Sequence, residues 1–371
     1  MKVGIPREVK NREYRVAITP SGVQELVRHG HEVAVETEAG VGSSIADEDF
    51  LAAGAKGLAS ADEVWGSSEL VLKVKEPVAE EFHRMQPGQT LFTYLHLAAG
   101  RECAAALLER QVTGIAYETV ELADRSLPLL APMSEVAGRL APQVGAQALL
   151  RAEGGRGVLL GGVSGVHAGK VVVIGAGVSG LNAAAIALGM QAEVLLLDKN
   201  VQKLRDADRI YQGHLQTVAS NAYEIEQACL DADMVIGAVL VPGAKAPTLV
   251  SDDLVSRMKP GAVLVDISVD QGGCFESSRP TTHSDPTFKV AECLFYCVAN
   301  MPGAVPHTST YALTNVTLPY ALAIAKLGVA PAVRADPALA LGVSVVSGQI
   351  TYPSVAEAHG LDSVALDSVL R

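Results

Sequence analysis

The sequence predicts an α/β protein built from two doubly wound parallel sheets. Three observations lead there. Short apolar runs alternate with amphipathic helical patterns in the first third of the chain and again between residues 171 and 267, which is the pattern of repeated βαβ units. The chain has 371 residues, more than a single core of about 250–300 residues usually organises. Hydrophobic residues make up 49% and glycines number 35, a composition suited to compact sheets joined by tight turns.

In the first block KVGIP (2–6), EVAVE (32–36), LVLKV (70–74), TLFTYL (90–95) and GIAYE (114–118) read as strands, with helical patterns at 20–29, 47–53 and 100–110. The segment LPLLAPMSEVAGRLAPQVGAQALLRAEGGRG (127–157) reads as a linker into a long helix, and Ser134 is its expected N-cap. In the second block the strands are VVVIG (171–175), EVLLLD (193–198), DMVIGAV (233–239) and AVLVDI (262–267). A further helix at about 308–326 leads into an alanine-rich tail.

Charge and composition exclude several classes. Lys and Arg number 29 against 41 Asp and Glu, a net charge of −12. With no basic run and no interleaving of aromatic and basic residues, no nucleic-acid partner is expected. The five cysteines, Cys103, Cys229, Cys274, Cys293 and Cys297, form no CxxC pair; reduced thiols and a cytoplasmic location are expected. The opening MKVGIPREVKNREYR is too charged for a signal peptide. Two stretches lack charge, 171–192 and 293–325, but the first carries glycines at turn spacing and the second carries Asn300, Pro302, Pro306, Asn315 and Pro319. Both read as buried soluble structure, and no membrane partner is expected. The nine histidines show no HExxH or Cys/His spacing, so no metal is expected.

The strongest local signal is VVVIGAGVSG, in which Gly175, Gly177 and Gly180 form G-x-G-x-x-G between a strand and a helical pattern. The first glycine makes the tight turn and the second admits a pyrophosphate. The third lets helix and strand pack closely, with the helix N-terminus facing the phosphates. A second strand ends at Asp198, placed to accept from a ribose 2′-hydroxyl and to repel a 2′-phosphate, which favours NAD over NADP. The stretch ELVLKVKEP (69–77) raises a different question, because Lys73 and Lys75 sit where a buried strand ought to be most apolar. Alternation along a strand points both toward one face.

These residues carry a resemblance. NREYRVAITP (11–20), LVLKVKEP, LFTYLHLAA (91–99), LPLLAPMSEVAGRLAPQVGA (127–146), VIGAVLVPGAKAP (235–247), DQGGCFESSRPTT (270–282) and FYCVANMPGAVPHTSTYALTN (295–315) resemble the alanine dehydrogenase family, whose members oxidise L-alanine to pyruvate and ammonia with NAD. The match weakens after about residue 325. The NAD-binding subunit of proton-translocating transhydrogenase shares the early run and departs from the later stretches. The resemblance implies two Rossmann-like domains with an interdomain cleft: a substrate domain over 1–128, an NAD-binding domain over 129–306, and a C-terminal segment, 307–371, returning to the first. It also implies a homohexamer. Some members hold magnesium through a Glu and a His late in the chain; Ala323 and Leu327 stand there in this sequence, and that site is not expected.

With that resemblance, Arg15 is expected to hold the substrate carboxylate, as a guanidinium does bidentately. Lys75 is expected to bind substrate and donate to the carbonyl or carbinolamine oxygen. His96, with an intrinsic pKa near neutrality, is expected to shuttle protons, and Asp270 to orient water or ammonia. Tyr94, Leu130 and Met133 are expected around the substrate methyl group. NAD contacts outside the glycine loop are implied at Ser134, Val178, Ser179, Lys203, Ser220, Val239, Leu240, Ile267, Asp270, Arg279, Val298, Asn300 and Met301. Two other classes compete with an amino-acid dehydrogenase: a transhydrogenase-like hydride carrier and a non-catalytic NAD-binding protein. Neither has a use for the Arg/Lys/His set.

Overall fold

The structure, a computed structural model, describes residues 1–239 and 246–370. Its strands, in chain order, are β1 (Lys2–Ile5), β2 (Glu32–Glu36), β3 (Lys56–Leu58), β4 (Leu70–Leu72), β5 (Thr90–Thr93), β6 (Thr113–Ala116), β7 (Lys170–Ile174), β8 (Glu193–Asp198), β9 (Gln216–Ala219), β10 (Met234–Gly237), β11 (Val263–Asp266), β12 (Thr287–Val290), β13 (Cys293–Tyr296), β14 (Val343–Val346) and β15 (Gln349–Ile350). The chain divides into two compact units, Met1–Met133 with Val305–Arg371, and Ser134–Ala304.

In the first unit eight strands run in the order β15-β14-β6-β5-β4-β1-β2-β3. β1 through β6 are mutually parallel and β14 adds antiparallel to β6. The central strands are buried on both faces, as Leu70, Val71 and Leu72 show, which covered parallel strands require. The second unit's order is β12-β13-β11-β10-β7-β8-β9, parallel except for β12. Setting aside the antiparallel edge strands, both sheets have the doubly wound order 3-2-1-4-5-6, whose switch point lies between the first and fourth strands. That point falls between β1 and β4 in one unit and between β7 and β10 in the other.

Several expectations are corrected. The strand expected over 70–74 stops at Leu72, because the N–H groups of Val74 and Lys75 turn to a carboxylate oxygen of Glu8 (2.6 and 3.3 Å). Strand alternation therefore does not govern the two lysines. β5 ends at Thr93; beyond it the Leu95 and His96 N–H groups donate to the Glu118 carboxylate, and His96 takes a left-handed φ of 47°. Ser134 is not an N-cap. The helix begins at Ala131, with Pro132 in its first turn, where a missing N–H costs nothing. The alanine-rich tail contains the strands β14 and β15, and β3, β9, β12 and β13 also add to the sheets. The helix expected near 308–326 spans Pro306–Leu327.

Candidate functional site

The first unit gathers its charged residues beyond the carboxyl ends of β1, β4 and β5, which are adjacent in the sheet. Arg15 lies on the loop after β1. It is almost fully buried and is held by Glu13: Nε donates to Oε1 at 2.6 Å and Nη2 to Oε2 at 2.5 Å, while Nη1 lies 3.0 Å from the Met133 sulfur. Burial alone would weaken the guanidinium charge, but Glu13 more than offsets it and the pKa is raised. Residues 7–15 line, with Glu38, Ala39, Val41 and Gly42, a depression of about 600 Å³. Arg15 is among its lining residues, whereas Lys75, His96, Tyr94 and Met133 are not.

Lys73 and Lys75 differ in kind. Lys73 is completely buried, its ammonium 3.0 Å from Glu8 and 2.9 Å from Glu81; these carboxylates raise its pKa against the opposing effect of burial. Lys75 is only partly buried, beside the Lys10–Glu76 ion pair. His96 is exposed, its ring stacked on Tyr94 at 5.9 Å with Nδ1 4.0 Å from Glu118. The buried Tyr94 hydroxyl donates to the Leu129 carbonyl at 2.6 Å; Leu130 follows Leu129 just ahead of the Ala131 helix.

In the second unit the glycine loop follows β7 and opens the helix Val178–Gly189. Each glycine meets a different constraint. Gly175 has φ 109° and a Cβ there would fall 2.6 Å from the Ala238 carbonyl, so the turn requires glycine. A Cβ at Gly180 would lie 1.7 Å from the Gly175 carbonyl, so close packing requires it again. A Cβ at Gly177 would meet no protein atom within 4 Å. Neither strain nor packing asks for glycine at that position, and the space in front of it is open at a helix N-terminus. A pyrophosphate fits there, against the N–H groups of Val178, Ser179 and Gly180.

Asp198 ends β8, and its carboxylate accepts from Ala176 N–H and Asn200 N–H, both at 2.7 Å. It thus ties the glycine loop to the second strand. Lys203 lies in the first turn of the helix Val201–Tyr211 and Ser220 just beyond β9. Val239 follows β10, and Ile267 and Asp270 follow β11, with Asp270 exposed in a 3-10 turn. The Arg279 guanidinium stacks 4.3 Å over Phe288. Val298, Asn300 (φ 64°) and Met301 follow β13. Ser134 sits one turn before Gly138, whose Cβ would fall 2.2 Å from the Ser179 carbonyl; positions four apart share a helix face, which brings Ser134 toward the glycine-loop helix. Leu240 lies outside the described residues.

Sequence reasoning singled out Lys73 but missed the carboxylates that organise this set: Glu8, Glu13, Glu81 and Glu118 in the first unit, Asp266 in the second. The buried Asp266 carboxylate accepts from Ser268 N–H (2.9 Å), Cys274 N–H (2.7 Å) and the Ser278 hydroxyl, fixing the turn that carries Asp270. The available signal was a charged loop directly after a strand, EVKNREYR, which is indistinguishable in composition from a solvated one.

A parallel sheet of order 3-2-1-4-5-6 with open space before Gly177 in its first glycine turn and an acidic residue ending its second strand has the features of the dinucleotide-binding α/β class. Comparison with known proteins narrows this. The models for Alanine dehydrogenase/PNT, N-terminal domain and Alanine dehydrogenase/PNT, C-terminal domain match residues 4–137 and 141–353. The alanine dehydrogenase of Mycobacterium tuberculosis is 60% identical over 370 residues, covering 100% of both chains. A solved L-alanine dehydrogenase structure superposes with a TM-score of 0.95 at 50% identity, over 97% of this chain and 99% of that one. The transhydrogenase of Sinorhizobium meliloti, at 24% identity and a TM-score of 0.81 over 95% of this chain and 100% of that one, shares the fold. The chain belongs to the alanine dehydrogenase/PNT family.

Proposed function

We infer that this chain is an NAD-dependent alanine dehydrogenase, converting L-alanine, water and NAD⁺ reversibly to pyruvate, ammonium, NADH and a proton. The observation that carries the reading is one polypeptide holding both a glycine loop open at Gly177 and two cations, Arg15 and Lys75, that follow the neighbouring strands β1 and β4 at the switch point of its other sheet. A hydride carrier or a passive NAD-binding protein needs only the first. Among the described residues, moreover, no helix is long and apolar enough to cross a membrane. In this reading residues 1–128 and 307–371 handle substrate and 129–306 hold the dinucleotide.

The roles follow from side-chain chemistry. Arg15, kept charged and oriented by Glu13, holds the substrate carboxylate, with Met133, Tyr94 and Leu130 toward the methyl group. The bound nicotinamide supplies the acceptor for the hydride that leaves Cα. Water then adds to the resulting iminium, and the carbinolamine expels ammonia. Lys75 donates to the developing oxygen, His96 takes and returns the protons, and Asp270 orients water or ammonia. The glycine loop, Ser134, Asp198, Lys203, Ser220, Val239, Leu240, Ile267, Arg279, Val298, Asn300 and Met301 hold the dinucleotide; no metal takes part.

L-alanine added to protein and NAD should give the near-ultraviolet absorbance of reduced nicotinamide, and no absorbance change with any of the three omitted; absence of turnover would overturn the reading. With NADP, like-charge repulsion between Asp198 and the 2′-phosphate should lower kcat/KM on the order of 10²-fold. Asp198→Ala should narrow that gap while raising KM for both dinucleotides, because Ala176 N–H loses its acceptor; equal kcat/KM for the two in the parent protein would refute this account of Asp198.

The family supports a homohexamer, and the five free cysteines suit a reducing, cytoplasmic setting. Light scattering should report about six times 38.6 kDa. A stable, active monomer contradicts the assembly.

A further inference from the structure

The segment that carries Lys75 ends its regular strand at Leu72 and has no regular structure through Val78, although Lys73 N–H still donates to the Phe92 carbonyl and Tyr94 N–H to that of Val74, both at 3.3 Å. Its buried N–H groups must still find acceptors. Three side chains supply or lock them. One oxygen of Glu8 accepts from Val74 N–H at 2.6 Å and from Lys75 N–H at 3.3 Å. The other oxygen meets Lys73 Nζ at 3.0 Å. Lys73 also pairs with Glu81, whose second oxygen accepts from Val78 N–H at 3.0 Å. Glu8, Lys73 and Glu81 are all buried, and Glu8 comes from the loop after β1, the strand beside β4.

We propose that Glu8 is the positioning residue for Lys75: its carboxylate fixes the backbone from which the Lys75 amine reaches substrate, and Lys73 holds that carboxylate in place. The inference rests on the assignment of Lys75 to substrate. Both Glu8 oxygens face donors, one the Val74 and Lys75 N–H groups and the other the Lys73 ammonium; burial pushes the carboxyl upward while Lys73 opposes it. An amide at this position cannot do the same work. Turned one way it sets an NH₂ donor against Lys73; turned the other way it sets one against Val74 N–H.

The test is a double-mutant cycle on the full-length enzyme, read as kcat/KM for L-alanine and for pyruvate with ammonium. Glu8→Gln should lower kcat/KM roughly 10- to 100-fold, the scale of a 1 Å displacement of a catalytic group. In the Lys75→Ala background the same change should cost under about twofold. NADH affinity should be unchanged throughout. Where Lys75→Ala turns over too slowly to measure, the cycle is read on pyruvate binding in the presence of NADH without ammonium. Equal losses in both backgrounds would show a merely structural role and overturn the proposal, as would full activity of Glu8→Gln. Full activity of Lys75→Ala would instead remove the substrate assignment, and the proposal with it. If Glu8→Gln fails to fold, Glu8→Gln/Lys73→Met/Glu81→Gln removes the donor conflict without leaving a buried carboxylate unpaired, and frees the amide oxygen for Val74 and Lys75. That variant should fold and recover kcat/KM to within about tenfold of the parent; a folded protein with no recovery would overturn the proposal.

Discussion

Lys75→Ala should lower kcat/KM for L-alanine by at least about 10²–10³-fold, roughly 3–4 kcal/mol of transition-state stabilisation, the usual cost of removing a donor aimed at developing oxygen charge. NAD affinity should hardly change, because the glycine loop and Asp198 belong to the other compact unit. Lys73→Ala should fail differently. It leaves Glu8 and Glu81 buried without their shared cation, which costs stability on the order of 3–5 kcal/mol. Removing the cation that holds the buried Glu8 carboxyl down raises its folded-state pKa further. A carboxyl whose folded pKa is raised binds its proton more tightly in the native state, so its stability contribution is present at low pH and is lost as pH rises through the folded value. The deficit of Lys73→Ala relative to the parent should therefore be smaller near about pH 5 than near about pH 8, measured by denaturant unfolding. Near-normal turnover of Lys75→Ala, or a stable Lys73→Ala enzyme more damaged in catalysis than Lys75→Ala, would contradict this division of labour.

Gly180→Ala and Gly177→Ala should separate packing from binding. At Gly180 the new methyl would lie 1.7 Å from the Gly175 carbonyl oxygen, a backbone atom that no rotamer change can move. The variant should lose several kcal/mol of stability or fail to fold. At Gly177 the backbone is extended, φ −81° and ψ −171°, and the methyl meets nothing within 4 Å. Stability should stay within about 1 kcal/mol, the ordinary cost of an alanine N-cap. NAD affinity should fall by about 10²-fold, near 2.7 kcal/mol, as the methyl takes the space of the pyrophosphate. Calorimetry of NAD binding beside thermal unfolding distinguishes the two. A Gly177→Ala protein that binds NAD normally would show that the opening is not the dinucleotide site.

The parts of the molecule legible in the sequence are those set by local order. Buried central strands announce themselves as apolar runs, and the glycine loop is a strand, a turn and a helix start in immediate succession. β3 and β9 lie at the outer end of each sheet, and their KGL and QTVA segments need no apolar run because they are incompletely covered. β14 is buried, yet its place beside β6, more than 220 residues earlier in the chain, is decided by tertiary pairing that no local pattern encodes. The same holds at the site. Arg15, Lys75 and His96 were legible as residues of the right chemistry near strand ends. The glutamates that orient them were not, because a carboxylate in a charged loop reads as solvated until the fold closes over it. Lys73 and Lys75 show the limit most directly: alternation sets them on one face, whereas the structure buries Lys73 between Glu8 and Glu81 and leaves Lys75 only partly buried.

The central claim is that substrate chemistry and dinucleotide binding serve one reaction, and the reductive direction tests it most directly. Pyruvate and NADH are mixed with the full-length protein, with and without ammonium, while NADH absorbance and L-alanine are followed together. The account predicts NADH oxidation only when pyruvate and ammonium are both present, with L-alanine formed in equal amount. NADH oxidation that proceeds without ammonium, or without the appearance of L-alanine, would contradict it.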